Sequence, residues 1–242
     1  MGHSIKPVSH LARCNSVWFH GASLAGDTWD TLTKDLPNAQ RPDLPGHGGA
    51  PMVEPPRVEA YAQALKENLP PDPVLIGHSL GGMVALELGA QLGKDATALI
   101  MIEAVPTVRD RLSSRIAAGI AVALFKRLPA SWFASLSGVG ECPATRAELQ
   151  RQFARLDRQH IGAALDAAAN YDGRPHLSQI AAPTLAIVGR KNKATHHGAK
   201  LMAETIPGAM LLELDGGHML HTDNPQGLRG AIDDFLRNIT RT

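Results

Sequence analysis

Cysteine is nearly absent from the chain: there are two, Cys14 and Cys142, far apart and at no metal-like spacing. A disulfide framework and a cysteine-based zinc site are both excluded, and a reducing compartment is the expected setting. An excess of one charge is lacking too. Lys and Arg number 24 against 23 Asp and Glu, with the signs scattered, so there is neither a basic stripe for nucleic acid nor an acidic tail. No apolar run is long enough to span a bilayer, and Met1 to Arg13 carries no apolar segment with a small-residue cleavage site. The expectation is a cytoplasmic protein with no membrane or nucleic-acid partner, acting on a small neutral or weakly charged molecule. Internal repeats and low-complexity tracts are missing as well, apart from an Ala-rich bias between Pro106 and Pro183.

What is present is a chain of 242 residues, enough for one large α/β domain with an insertion. Residues 1–13 are polar, with at most an edge strand at Ile5 to Val8 that Pro7 weakens. Ser16 to Phe19 reads as a buried strand running into the small-residue loop His20-Gly21-Ala22-Ser23. Trp29, Leu32 and Leu36 recur at helical spacing behind Asp27, a candidate N-cap, and Pro37 ends that helix. A short strand near Ala39 to Arg41 precedes Asp43-Leu44-Pro45-Gly46-His47-Gly48, whose Pro-Gly pair suits a type II turn. His47 in such a turn is expected to bond local backbone. Val58 to Leu69 is amphipathic and helical, and Ala96 to Ile102 is a buried strand ending at Glu103.

Between Pro106 and Pro183 the strand pattern stops. Helical patterns over Val108 to Leu128, Ala144 to Arg158 and Ile161 to Ala169 mark an inserted lid, residues 106–182, within a core made of 1–105 and 183–242. Its arginines, among them Arg151, Arg155 and Arg158, spread along helix faces as a solvated surface does. Its aromatics, Phe125, Trp132, Phe133 and Phe153, fit either an acyl pocket or a seam pinning the lid to the core. The α/β rhythm then resumes with a strand at Thr184 to Val188, a helix through Met202, a strand at Met210 to Leu214 and a last helix from Gln226 to Asn238. Strands alternating with helices predict a mostly parallel sheet covered on both faces.

The most informative stretch is Gly77-His78-Ser79-Leu80-Gly81-Gly82, entered by the apolar run Pro73 to Ile76 and left by the Ala/Leu-rich run Met83 to Leu92. That order is strand, sharp turn, helix. Small neighbours let strand and helix close on each other, and Ser79 projects its hydroxyl beside the unpaired N–H groups of a helix start. A serine hydroxyl needs a general base, and His218, in the Gly-rich loop after the last strand, suits that duty. The base needs a partner on its other ring nitrogen, and a developing oxyanion needs two backbone donors, for which Ala22 and Leu80 are the candidates.

With these pieces the sequence resembles the α/β-hydrolase fold superfamily from Val17 to Phe235. The resemblance is carried by His20-Gly21, Asp43-Leu44-Pro45-Gly46-His47-Gly48, Gly77-His78-Ser79-Leu80-Gly81-Gly82, Ala182-Pro183-Thr184-Leu185 and Gly217-His218. It implies a helical lid and a triad in the order nucleophile, acid, histidine, while the antiparallel hairpin common at the start of such chains looks shortened. Family members commonly carry the acid in a G-x-x-D pattern after the post-lid strand, but this chain reads Gly189-Arg190-Lys191-Asn192, with no carboxylate from Gly189 to Thr195. Some relatives place it after the strand that follows the nucleophile helix, where Glu103 stands. The expectation is therefore Ser79, His218 and Glu103, with Asn192 as the alternative, neutral occupant of the acid position. Asp215 is expected to bond the Gly-Gly turn that follows it.

His221 and the pair His196-His197 lack an acidic or cysteine ligand to complete a metal site, so neither metal nor cofactor is expected. The functional expectation is a serine hydrolase cleaving a small ester, thioester or related acyl substrate. Two alternatives stand beside it. One is a pyruvate-eliminating synthase of the menaquinone-pathway type, which this chain resembles around Asp43 to Ala50 but which commonly carries arginine where Met83 stands. The other is a non-catalytic ligand-binding protein on the same scaffold.

Overall fold

Six parallel strands form one sheet in the computed structural model, which describes residues 9–109, 142–155 and 157–239. They are β1 (Ser16–Phe19), β2 (Ala39–Gln40), β3 (Val74–His78), β4 (Ala98–Ile102), β5 (Thr184–Gly189) and β6 (Met210–Leu214), in the order β2-β1-β3-β4-β5-β6. Every neighbouring pair is parallel, and no hairpin precedes β1 among the described residues. The expected strand at Ile5 to Val8, most of the helix expected over Val108 to Leu128, and Phe125, Trp132 and Phe133 lie outside the described residues.

A strand buried on both sides sends alternate side chains to opposite faces, and the apolar residues divide accordingly. Val17, Phe19, Leu75, Leu99, Met101, Ala186 and Val188 join one core. Trp18, Val74, Ile76, Ala98, Ile100, Ile102, Leu185 and Ile187 join the other. Helices α2 (Val58–Lys66) and α3 (Leu80–Leu92) supply the first core, with Tyr61 and Ala62 from one and Val84 and Leu88 from the other. The second is closed by the C-terminal helix Pro225–Ile239 through Leu228, Ile232, Phe235 and Leu236.

The first helix is shorter than the spacing of Trp29, Leu32 and Leu36 predicts. A 3-10 turn, Gly26–Trp29, leads into a single turn, α1 (Asp30–Thr33). Asp27 caps nothing here, because its carboxylate is taken by Arg151, Gln152 and Arg155 from the segment between β4 and β5. That segment contains α4 (Pro143–Phe153) and α5 (Arg158–Asn170), where the sequence pattern runs one helix through Ala144 to Arg158. The break has a local cause: Asp157 accepts the N–H groups of Gln159 and His160 and so starts a new helix. Beyond β5 come α6 (His196–Thr205), the single turn α7 (Leu220–Asp223) and the C-terminal helix, α8.

Three neutral histidines are built into the carboxyl edge of the sheet. His20 donates from Nδ1 to the Gly21 carbonyl (2.8 Å) and accepts the Leu44 N–H at Nε2 (2.9 Å), tying the ends of β1 and β2 together. His78 donates from Nε2 to the His218 carbonyl (2.9 Å), and the Nε2 of His221 lies 3.0 Å from the Thr28 hydroxyl. Trp29 packs against both of these rings. His47 does bond local backbone, its Nδ1 lying 3.1 Å from the Pro45 carbonyl, and the His47 N–H closes the turn onto the Leu44 carbonyl (2.9 Å).

Burial, with the neighbouring His47 adding to it, pulls His20 down to about 3. Burial likewise pulls His221 down to about 4, and burial followed by the neighbouring His218 holds His78 well below its usual value. In the unfolded chain each would titrate near 6.5, so below that pH the unfolded state binds protons that the folded state refuses, and stability falls as pH falls. Above about pH 7 these groups contribute no slope. At pH 5 His20 and His221 should each cost on the order of 1–2 kcal/mol, with His78 acting in the same direction. Urea unfolding at pH 7.5 and at pH 5 should show a markedly lower midpoint at the acidic pH, and an unchanged midpoint would contradict this account.

Candidate active site

Parallel strands deliver their carboxyl ends to one edge, and the loops leaving β1, β3, β4, β5 and β6 meet there. Register sets two of them side by side. His78 pairs with Ile102, so Ser79 and Glu103 leave adjacent strands at the same level. The Ser79 N–H donates to the Ile102 carbonyl (3.0 Å) and the Glu103 N–H to that of Ile187 (2.8 Å). Both residues take backbone angles rare for side-chain-bearing residues, φ 53° for Ser79 and 49° for Glu103. Backbone strain of this kind clusters at functional sites.

The turn at Ser79 is possible because nothing stands where strand and helix cross. A Cβ on Gly81 would run into the carbonyl oxygens of Phe19 and His20, and one on Gly77 into the carbonyl of Gly81. Ser79 is half-buried and precedes α3 directly, so the Leu80 N–H is among the helix-start donors with no intrahelical partner. Ala22 lies in the loop after β1, where Gly21 packs on His78 and Ser79 and the Leu24 N–H returns to the Gly21 carbonyl (3.2 Å).

His218 is half-exposed in the loop after β6, while the Glu103 side chain has no exposed surface. Glu103 Oε2 lies 3.4 Å from His218 Nδ1. The same oxygen accepts from Asn192 Nδ2 (2.5 Å) and from the Thr195 hydroxyl (2.7 Å), and Oε1 accepts the Gly189 N–H. Asn192 Nδ2 also stands 3.1 Å from His218 Nδ1. Glu103, Asn192 and His218 thus meet at one point, although they come from three different loops.

Asp215 is elsewhere. It is exposed, faces Arg190 at 3.9 Å, and leaves the Gly-Gly turn to Asp223, whose Oδ2 accepts the Gly217 N–H (2.7 Å). The site residues that sequence reasoning misses are therefore Thr195, His78 and Asp223. Asp223 had a readable signal in its place just before Asn224-Pro225, where a helix start needs acceptors. Thr195 and His78 act on residues far along the chain and left no local pattern.

Phe153 packs with Leu24, Leu149 and Met219, which makes it part of the seam between α4 and the core. Arg151 and Arg155 pair with Asp27 where the sequence suggests a free solvated face. Of the other histidines, His196 opens α6 with its Nε2 3.0 Å from the Gly189 carbonyl, whereas His221 is buried. Among the described residues no group of three or more His, Cys, Asp or Glu is placed to hold a metal ion, and no helix is long and apolar enough to cross a membrane.

Residues 17–231 match the model of the alpha/beta hydrolase family. A pimeloyl-[acyl-carrier protein] methyl ester esterase from Aromatoleum aromaticum is 30% identical over 94% of this chain and 100% of its own length. The mouse sn-1-specific diacylglycerol lipase ABHD11 is 26% identical over 91% of this chain and 80% of its own. Among solved structures, the esterase EaEST from Exiguobacterium antarcticum superposes with a TM-score of 0.80 at 18% identity, covering 92% of this chain and 91% of that one. A family match across most of the chain, on a parallel sheet whose strand ends gather a serine, a histidine and a carboxylate, leads to one conclusion: the chain belongs to the alpha/beta hydrolase family.

Proposed function

We propose that the protein is a serine hydrolase that cleaves a small ester, thioester or related acyl substrate through an acyl-enzyme. Ser79 is the nucleophile, His218 the base, Glu103 the acid and the N–H groups of Ala22 and Leu80 the oxyanion donors. Residues 106–182 serve as its lid, over a core of 1–105 and 183–242. The relatives named above, an esterase and a lipase, support the ester bond as the target.

The observation that carries this reading is the 3.4 Å approach of the buried Glu103 carboxylate to His218 Nδ1. For His218 Nε2 to take the serine proton, Nδ1 must hold a hydrogen and give it to an acceptor. Asn192 offers nitrogen at that point, and nitrogen donates only. Turning its amide over would set an oxygen against the Glu103 carboxylate, so the hydrogen-bond network favours the orientation described. Glu103 is then the acceptor, and Asn192, Thr195 and the Gly189 N–H hold it in place.

In the reaction, Ser79 Oγ attacks the acyl carbon as its proton passes to His218 Nε2. The oxyanion is held by the two backbone donors, and the imidazolium by Glu103. His218 returns the proton to the leaving alcohol or thiol, whose bond to the acyl carbon breaks. Water then enters, gives a proton to His218 and releases the acid, and Ser79 recovers its proton.

A fluorophosphonate probe should label the native protein on Ser79 and leave Ser79→Ala unlabelled; a folded native protein that takes no label would overturn the reading. Glu103→Gln should lower kcat for a p-nitrophenyl ester on the order of a thousandfold or more, as loss of the enforced tautomer does elsewhere. Asn192→Ala, which removes one donor to a charged group, should cost about tenfold. Full activity in Glu103→Gln, or the reverse order of the two effects, would shift the acid role away from Glu103.

A further inference from the structure

Helix α4 reaches the site through three contacts. Leu149 and Phe153 pack on Leu24, beside the loop that carries Ala22, and on Met219, the residue after His218. Glu148 accepts the Thr28 hydroxyl (2.9 Å), and Asp27 accepts from Arg151 (2.6 Å), Arg155 (2.8 Å) and Gln152 (2.8 Å). The third contact runs through Asp223, at the end of α7. Its Oδ1 accepts the hydroxyl of Thr145 (2.6 Å), a fully buried residue of α4, and lies 3.3 Å from the thiol of Cys142, which caps that helix. Its Oδ2 accepts the Gly217 N–H (2.7 Å), one residue before His218.

The position of that last bond matters because it holds the residue directly before His218. Gly216, at φ 144°, and Gly217 lead into His218 with no side chains to pack. Two side chains bond the backbone on either side of His218, the His78 ring on the His218 carbonyl and Asp223 on the Gly217 N–H, while the Lys191 N–H holds the Gly216 carbonyl (2.9 Å). The first comes from the serine turn and the second from α7, where Thr145 and Cys142 link Asp223 to α4. Burial disfavours charge on Asp223, but the Thr145 hydroxyl, the Gly217 N–H and the Cys142 thiol outweigh it and hold the carboxyl below its usual range. It is a carboxylate at neutral pH, and charge-assisted bonds of this kind are the stronger ones.

We propose that Asp223 is a positioning residue for His218, bridging Thr145 of the inserted helix to the Gly217 backbone, so that α4 sets the aim of the base as well as covering the core. The inference rests on the serine-hydrolase reading above. A base displaced by about 1 Å can cost on the order of a hundredfold in rate, and loss of the bond at Gly217 permits that displacement.

The test uses the full chain and three variants, Asp223→Ala, Asp223→Asn and Thr145→Val, followed by fluorophosphonate labelling rate, kcat and KM on p-nitrophenyl butyrate, and thermal unfolding. Asp223→Ala should lower kcat and the labelling rate together by about 10- to 100-fold, with KM within about twofold. Asp223→Asn should recover part of the loss, because it keeps an oxygen for the Gly217 N–H. Thr145→Val leaves that bond in place and removes the hydroxyl that joins α4 to Asp223 and Thr222, the longer Cys142 contact remaining, so a several-fold fall is expected; it decides the matter if Asp223→Ala does not fold. Variants that melt lower yet label and turn over at the native rate, or that raise KM alone, would show Asp223 to be merely structural and overturn the proposal. Absence of labelling in the native protein would instead remove the serine-hydrolase reading, and this inference with it.

Discussion

A carboxylate with no exposed surface must find its donors inside the protein, and at Glu103 that requirement organises the whole carboxyl edge of the sheet. The Gly189 N–H at the end of β5 and the Asn192 amide and Thr195 hydroxyl from the loop after it all point at it. His218 reaches it from the loop after β6. Removing the charge would orphan several donors at once, and removing a donor would leave a buried charge less compensated. The arrangement therefore holds two loops against the end of β4 far more firmly than either would hold itself.

The sheet makes this convergence possible. Parallel pairing puts His78 level with Ile102 and Gly189 level with Leu214, so the residues that follow emerge at matching heights. The two cores beneath and above the strands fix that register, since a slip by one residue would exchange the apolar sets between faces. Precision at the site is thus inherited from packing well below it. The absence of side chains at Gly77 and Gly81 then lets α3 start close enough to the sheet for its first N–H groups to lie beside Ser79.

The segment between β4 and β5 is tied to the same edge by chemistry of a different kind. Its helix α4 has little apolar surface of its own to bury and docks through Leu149 and Phe153 together with charged and hydroxyl groups. Around Asp27, burial opposes ionisation, but Arg151, Arg155 and Gln152 outweigh it and hold the carboxyl well below its usual range. Half-exposed pairs of this sort contribute modestly to stability but specify which surfaces meet. Because these surfaces include the flanks of the proposed base and oxyanion loops, variation in this segment can reach the chemistry without touching a reacting group.

The sequence by itself determined the features that are local. The strand, tight turn and helix around Ser79, the alternation of apolar residues and the small-residue loops that follow apolar runs all depend on neighbours within a few positions, where sterics and periodicity leave few options. The missing carboxylate between Gly189 and Thr195 was legible too, and it directed attention to Glu103. Tertiary structure decided which distant groups meet. Asp27 looked like a helix cap and is an ion partner of α4; Asp215 looked like the anchor of the Gly-Gly turn, and Asp223 holds it. His221 offered no partner in its own segment and is enclosed by Trp29 and His78. In each case the side chain's role is set by a partner from another element, and no pattern within its own segment records that partner's identity.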